Sequence, residues 1–230
     1  MILSPAARAT IGLGFTQIVG WGTTFLMPSV LGRHIEDALG LPSEVVFGGI
    51  TVMFAVGAIF APRVGRLIDR TGARTIMAVG SVLYALSLAA LALSQSMATY
   101  LLCWAGLGVA STLALSTPAS VAIAQVSGPG ARKAIAMLAI IGGFASTVFW
   151  PITAFLAERW GWRTTYLIFA AGMVAICLPI YIATTLMGLG IGFAFAAMAN
   201  LIVEAVDQTQ TGVATGMNTI MRTIGGSIGG

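Results

Sequence analysis

Side chains able to do chemistry are scarce in this chain, so their placement carries the information. There is one histidine, His34, and seven Asp and Glu stand against eleven Lys and Arg. His34, Glu36, Asp37, Glu158 and Arg159 all fall near the ends of apolar runs, so the first six runs bury no ionisable group. Acid–base catalysis needs a positioned donor and acceptor, and a nucleophile needs an activating partner. Neither arrangement is visible. Cys103 and Cys177 sit inside apolar runs without metal-ligand spacing, where a thiol behaves as a small hydrophobe. The reading is of a protein that is not an enzyme and uses no metal or cofactor.

Two kinds of position remain. The first is polar or aromatic residues inside the runs: Gln17 with Trp21; Trp104, Ser111, Thr112 and Ser116; Ser146 and Trp150. Such groups either line an aqueous cavity or bond helix to helix, and Gln17 with Trp21, four apart on one helical face, is the strongest pair. The second is a short charged turn, Gly65-Arg66-Leu67-Ile68-Asp69-Arg70-Thr71-Gly72-Ala73-Arg74, flanked by apolar runs. Asn200, Glu204 and Asp207 form a later cluster that either carries a coupling ion or ends a helix; the helix-end reading is preferred.

The elements that position these residues follow from composition. Hydrophobic residues make up 58% of the chain, charged residues 8%, and the mean hydropathy is +0.98. That leaves too little polar surface to cover a water-soluble globule, so a lipid bilayer is the solvent and the formal charge of +4 does not point to nucleic acid. A span needs about 20 apolar residues with all backbone polar groups paired internally. Spans are expected near 9–31, 44–62, 75–95, 98–124, 134–157 and 164–182, with further apolar stretches at 184–203 and from 213 onward. With the N-terminus inside, seven basic residues (Arg8, Arg63, Arg66, Arg70, Arg74, Arg132 and Lys133) face the cytoplasm against Arg33, Arg159 and Arg163 outside. This is a multi-pass plasma-membrane (inner-membrane) protein with a cytoplasmic N-terminus.

Pro118 and Pro151 fall inside expected spans and predict kinks there. Ala139, Gly143 and Thr147, beside Gly142 and Ser146, predict close helix packing. From Thr164 to Val203 no residue is charged. As one helix these forty residues would extend about 60 Å, twice the hydrocarbon thickness, so a break is expected between Pro179 and Gly190.

The charged turn resembles the signature loop between the second and third helices of the major facilitator superfamily. It matches in both glycines, the acid, the adjacent arginine and the later basic residue. Gly142 to Pro151, followed by Trp160-Gly161-Trp162-Arg163, resembles the fifth-helix and loop pattern of bacterial members. The resemblance implies an all-α membrane bundle with residues 1–182 as its N-terminal six-helix half. It further implies a secondary transporter moving a small organic solute, monocarboxylate-like or another small metabolite, by alternating access coupled to protons or another ion. Gly65, Asp69, Arg70, Gly72 and Arg74 would form the gate, with Gly65 letting helices approach and Asp69 latching the cytoplasmic side. Gln17, Trp21, Trp104, Ser116, Ser146 and Trp150 are the candidate solute contacts. Drug-efflux members usually carry an arginine in helix four and a Gly-Pro pair in helix five; this chain has neither.

Gly106-Leu107-Gly108 recurs as Gly188-Leu189-Gly190 and Gly142-Gly143 as Gly225-Gly226, so residues 183–230 resemble helices ten and eleven of a multidrug-type second half. On that reading helices seven to nine are missing and the chain is truncated or internally deleted. The competing expectations are a membrane remnant or scaffold without transport activity, or a drug-efflux-type member of the superfamily. The oligomeric state is left open.

Overall fold

The structure, a computed structural model, describes residues 5–205 together with 210, 212–213, 216–217 and 220–221. Arg222, Asp207 and the Gly225-Gly226 echo lie outside the described residues. The described chain is helical, as the composition requires: α1 Pro5–Gly22, α2 Met27–Leu39, α3 Ser43–Thr71, α4 Ala73–Ala92, α5 Met97–Ala114, α6 Ser116–Ser127, α7 Ala131–Gly143, α8 Ala145–Gly172 and α9 Leu178–Ala205. A short 3-10 turn (Gly128–Gly130) precedes α7, and one wide π turn (Met173–Cys177) joins α8 to α9. Among the described residues, four helical stretches are long and apolar enough to cross a membrane: Ser43–Thr71, Ala73–Ala92, Met97–Ser127 and Ala131–Thr184.

The first expected span is not one helix. Pro28 has no N–H to offer the Thr24 carbonyl, and here, unlike at Pro62 and Pro151, the helix breaks ahead of the proline. α1 ends at Gly22, and Met27 N–H takes the Thr24 carbonyl instead at 3.0 Å. The break is sealed by side chains. The Tyr84 hydroxyl donates to the Gly20 carbonyl at 2.8 Å, while the Thr24 hydroxyl lies 2.7 Å from the Tyr84 oxygen and 2.8 Å from the same carbonyl. In lipid a freed backbone group must find such a partner inside the protein. α2 then buries Met27, Leu31 and Ile35 on one face and exposes Arg33, His34 and Asp37 on the other. Gly40, left-handed at φ 63, closes it with its N–H on the Glu36 carbonyl.

α3 and α4 join at Gly72, whose φ of 84 suits glycine and whose N–H caps the Ile68 carbonyl at 2.8 Å. α4 is the most enclosed span and touches α5, α6, α8 and α9. Lipid supplies no hydrophobic drive for helix association, so close packing must. At Gly108 it does: an added Cβ would lie 2.5 Å from the Met53 carbonyl oxygen, so the α3–α5 crossing requires glycine there. The Ser96–Thr99 capping box starts α5.

The fourth expected span also divides. Leu115, at φ −91 and ψ −143, separates α5 from α6, and Pro118 occupies the first turn of α6, where no N–H is needed. The predicted kink is present, just ahead of the proline. Near Pro151 the outcome differs: the irregularity falls at Phe144, after Gly142-Gly143, and Pro151 itself lies inside α8. Two adjacent glycines disrupt the helix there more than a proline whose neighbours remain helical.

α8 is two legs. Gly161 adopts φ 78 and ψ 165, outside helical space, and the Phe149 and Phe169 rings meet at 5.5 Å although twenty residues apart. In one straight helix they would be about 30 Å apart, so the chain reverses at Gly161. Arg163 secures the turn by donating to the Ala92 carbonyl at the end of α4, its guanidinium over the Trp162 ring at 4.3 Å. The break expected between Pro179 and Gly190 is not found. Pro179 follows directly on the π turn, and α9 continues unbroken to Ala205.

Candidate functional site

α1, α6 and α7 pack together around a cavity of about 330 Å³. Gln17 and Trp21 come from α1, Ser116 and Ser120 from α6, and Leu138, Ala139 and the Gly142-Gly143 pair from α7. The predicted helix-five stripe explains why there is room. Gly142 sits against Gln17, with an added Cβ 3.4 Å from the Gln17 Cβ, and no side chain from this pair fills the space.

Gln17 is 2% exposed. The Ser116 hydroxyl approaches its Oε1 at 3.5 Å, a long contact, and its Nε2 has no hydrogen-bond partner among the described residues. A buried amide without a partner costs about 1–3 kcal/mol. Trp104 Nε1, Ser127 Oγ and Tyr166 OH are also buried without a partner among the described residues, and of these four residues only Gln17 lines the cavity. Ser120, one helical turn beyond Ser116, also faces the cavity without a hydrogen-bond partner among the described residues. No lining residue is ionisable.

Of six predicted solute contacts, Gln17, Trp21 and Ser116 are brought together here. Trp104 is not. Its ring is fully buried against Gly49, edge-on to Tyr100 at 6.2 Å, and packs α5 against α3. Ser146 is half-buried and Trp150 is 57% exposed, and neither lines the cavity. Ser111 and Thr112 turn their hydroxyls onto backbone carbonyls of their own helix, Gly108 at 2.9 Å and Val109 at 2.7 Å. Ser120 was missed by sequence reasoning, although the four-residue spacing that pairs Gln17 with Trp21 also pairs it with Ser116.

At the α3–α4 turn, Asp69, Arg70 and Arg66 are exposed, Arg74 is half-buried, and Asp69 forms no ion pair among the described residues. Asp69 lies in the last turn of α3, the negative end of the helix dipole, where its own helix disfavours it. The close approach expected at Gly65 is not realised within the described residues, since an added Cβ there meets nothing within 4 Å. In the later cluster, Asn200 and Glu204 are exposed, and Asp207 lies outside the described residues.

The sequence profile of the Major Facilitator Superfamily matches residues 10–186. The chain belongs to this superfamily. The match spans the charged turn and every element that walls the cavity. No curated protein and no solved structure matches the chain. Superfamily membership makes this a multi-pass membrane protein of transporter type, acting on small solutes within a lipid bilayer.

Proposed function

We propose that this major facilitator chain moves a small organic solute by alternating access, with the α1–α6–α7 cavity as its binding site. The supporting observation is Gln17: an uncharged polar residue, buried, with an amide nitrogen short of a partner, among the residues that line the cavity. Structural polar groups in lipid are satisfied by neighbouring helices, as Tyr84 and Thr24 are. Gln17 Nε2 departs from that rule, as do Trp104 Nε1, Ser127 Oγ and Tyr166 OH, and of these four residues Gln17 is the one that lines the cavity.

On this reading residues 1–182 act as one six-helix half and 183–230 contribute to a second. Asp69, with Arg70, Gly72 and Arg74, latches the inner face, and transport couples to protons or another ion across the plasma membrane with the N-terminus inside. The exposed position of Asp69 supports a latch closing against another part of the transporter, because nothing among the described residues pairs with it.

The test is flux. Purified chain in proteoliposomes, challenged with labelled carboxylates, sugars and amino acids under an inward proton gradient, is expected to take up at least one class saturably. The expected rate is ten times that of empty vesicles or more, and it falls in Gln17→Leu. Uptake of every class at the empty-vesicle rate would overturn the proposal and favour a scaffold.

A further inference from the structure

We infer that the arginine end of α3 binds an anionic phospholipid of the surrounding bilayer, its headgroup at Arg63, Arg66 and Arg70 and its acyl chains along Val56 and Ile59. Spaced three and four apart, Val56, Ile59, Arg63, Arg66 and Arg70 fall on one stripe of the helix. Ile59 and the three arginines are exposed, while the buried Met53, Gly57, Val64 and Ile68 lie on another face. α3 is the least enclosed of the four spans and packs on α2, α4 and α5. The stripe turns from apolar to basic at the depth where a phospholipid does. From Ser43 to Arg63 the helix rises about 30 Å, the thickness of the hydrocarbon core, and Arg66 and Arg70 stand about 5 and 10 Å further on, at headgroup level.

Two structural reasons for arginine here fall short. The helix dipole favours a cation in the last turn, which holds Arg70 but neither Arg63 nor Arg66. Positive-inside bias counts charges near span ends and sets no spacing, whereas these three share a face on which like charges repel. Among the described residues none of the three forms an ion pair. Their one side-chain hydrogen bond is long, Arg63 Nη1 to the Ile59 carbonyl at 3.4 Å, with the guanidinium 5.9 Å from the Phe60 ring. Asp69 lies off the stripe, about 100° around the helix from Arg70. Four of the other six acids, Glu36, Asp37, Glu44 and Glu158, stand at the opposite end of the bundle. What matches the stripe at both levels is a phosphate carried on apolar chains: guanidinium forks take its oxygens in pairs, and the chains follow Ile59 upward. Three cations on one face favour a lipid of net negative charge over one whose own amine cancels its phosphate.

The test uses the full chain with Cys103 and Cys177 replaced and bimane attached at Ile59→Cys, in phosphatidylcholine vesicles. Brominated phosphatidylglycerol or brominated phosphatidylcholine is added as a minor quenching component. Phosphatidylglycerol is expected to associate at least fivefold more strongly at position 59, and equally with phosphatidylcholine at Leu102→Cys, an exposed site on α5. Arg63→Gln with Arg66→Gln should bring the preference at position 59 close to one, and high salt should reduce it. Arg33→Gln with Arg159→Gln, which removes as much charge from the opposite end, should leave it unchanged. Should the first pair fail to reconstitute, Arg66→Gln alone decides, with at least a twofold fall expected. Equal quenching by the two lipids, the same preference at Leu102→Cys, or a preference unmoved by the arginine variants overturns the site. A label that neither lipid quenches overturns it too, since protein would then cover the stripe. If glycerol phosphate abolishes the preference, the arginines bind a free phosphate and the assignment to lipid fails. The readout needs no transported solute, so its outcome is independent of the proposed transport.

Discussion

Tyr84 and Gln17 are both polar and both buried, Gln17 on α1 and Tyr84 against it, yet one is fully hydrogen-bonded and the other is not. Tyr84 serves the backbone by occupying the Gly20 carbonyl that the α1 break frees. Tyr84→Phe keeps the ring and deletes that bond, so it should cost about 1 kcal/mol, in the range for one buried hydrogen bond and for interhelical bonds in lipid. Thermal unfolding in detergent should show a fall of a few degrees; an unchanged midpoint would mean that Thr24 alone satisfies the carbonyl. Gln17→Leu removes an amide that lacks a partner, so its midpoint should stay level or rise while flux falls. This contrast was half legible in the sequence. Polarity inside an apolar run picked out Gln17, Trp21 and Ser116, but it could not tell a cavity Trp from a packing one. Trp104 meets the same rule as Trp21, and only the position of Gly49 opposite shows that its ring fills a helix crossing.

Elements were legible wherever one residue forbids continuation. Gly72 and Gly161 mark reversals because φ near 80 costs a side-chain-bearing residue dearly, and both turns fall where charge and glycine predicted loops. Breaks within spans were harder to read. Pro28 split the first helix although the surrounding run is continuously apolar, and forty uncharged residues suggested a break in α9 that does not occur. Hydropathy measures lipid compatibility and is blind to hydrogen-bond bookkeeping, so it sees neither. The Gly161 hairpin gives a sharp test. Its φ 78 and ψ 165 lie in a region open essentially to glycine, so Gly161→Val should destabilise by about 1–3 kcal/mol. Detergent unfolding checks this, with Gly143→Val as comparison, since nothing lies within 4 Å of an added Cβ there and its φ is negative. Equal losses in the two variants would argue that position 161 is not a strained turn.

At the scale of the molecule, the turns sort into two ends. Gly72 and the Gly128–Gly130 turn carry Arg66, Arg70, Arg74, Arg132 and Lys133. The opposite end holds the α4–α5 link and the Gly161 reversal, tied together by Arg163 on Ala92. If the basic end faces the cytoplasm, as positive-inside bias requires, then with Cys103 and Cys177 replaced, Gln95→Cys should react with an impermeant maleimide in intact cells. Thr71→Cys should react only after permeabilisation. The reverse pattern would invert the proposed topology.

Asp69 connects that topology to motion. It is exposed, sits at the unfavourable end of its own helix and has no ion pair among the described residues, so folding of this bundle gives no reason for an acid there. A latch supplies one: its charge is used only in the state where the inner face is closed, and a ligand or contact shifts an equilibrium only by its difference between the states. Asp69→Asn should therefore leave the unfolding midpoint unchanged while moving the balance toward the inward-open form. The readout is a cysteine at cavity residue Ala139, on a background without Cys103 and Cys177, labelled separately from each face of inside-out and right-side-out vesicles. The ratio of inner to outer labelling is expected to rise at least threefold in the variant. An unchanged ratio with an unchanged midpoint would leave Asp69 as a solvated charge, and the latch would have to be sought among Arg70 and Arg74 instead.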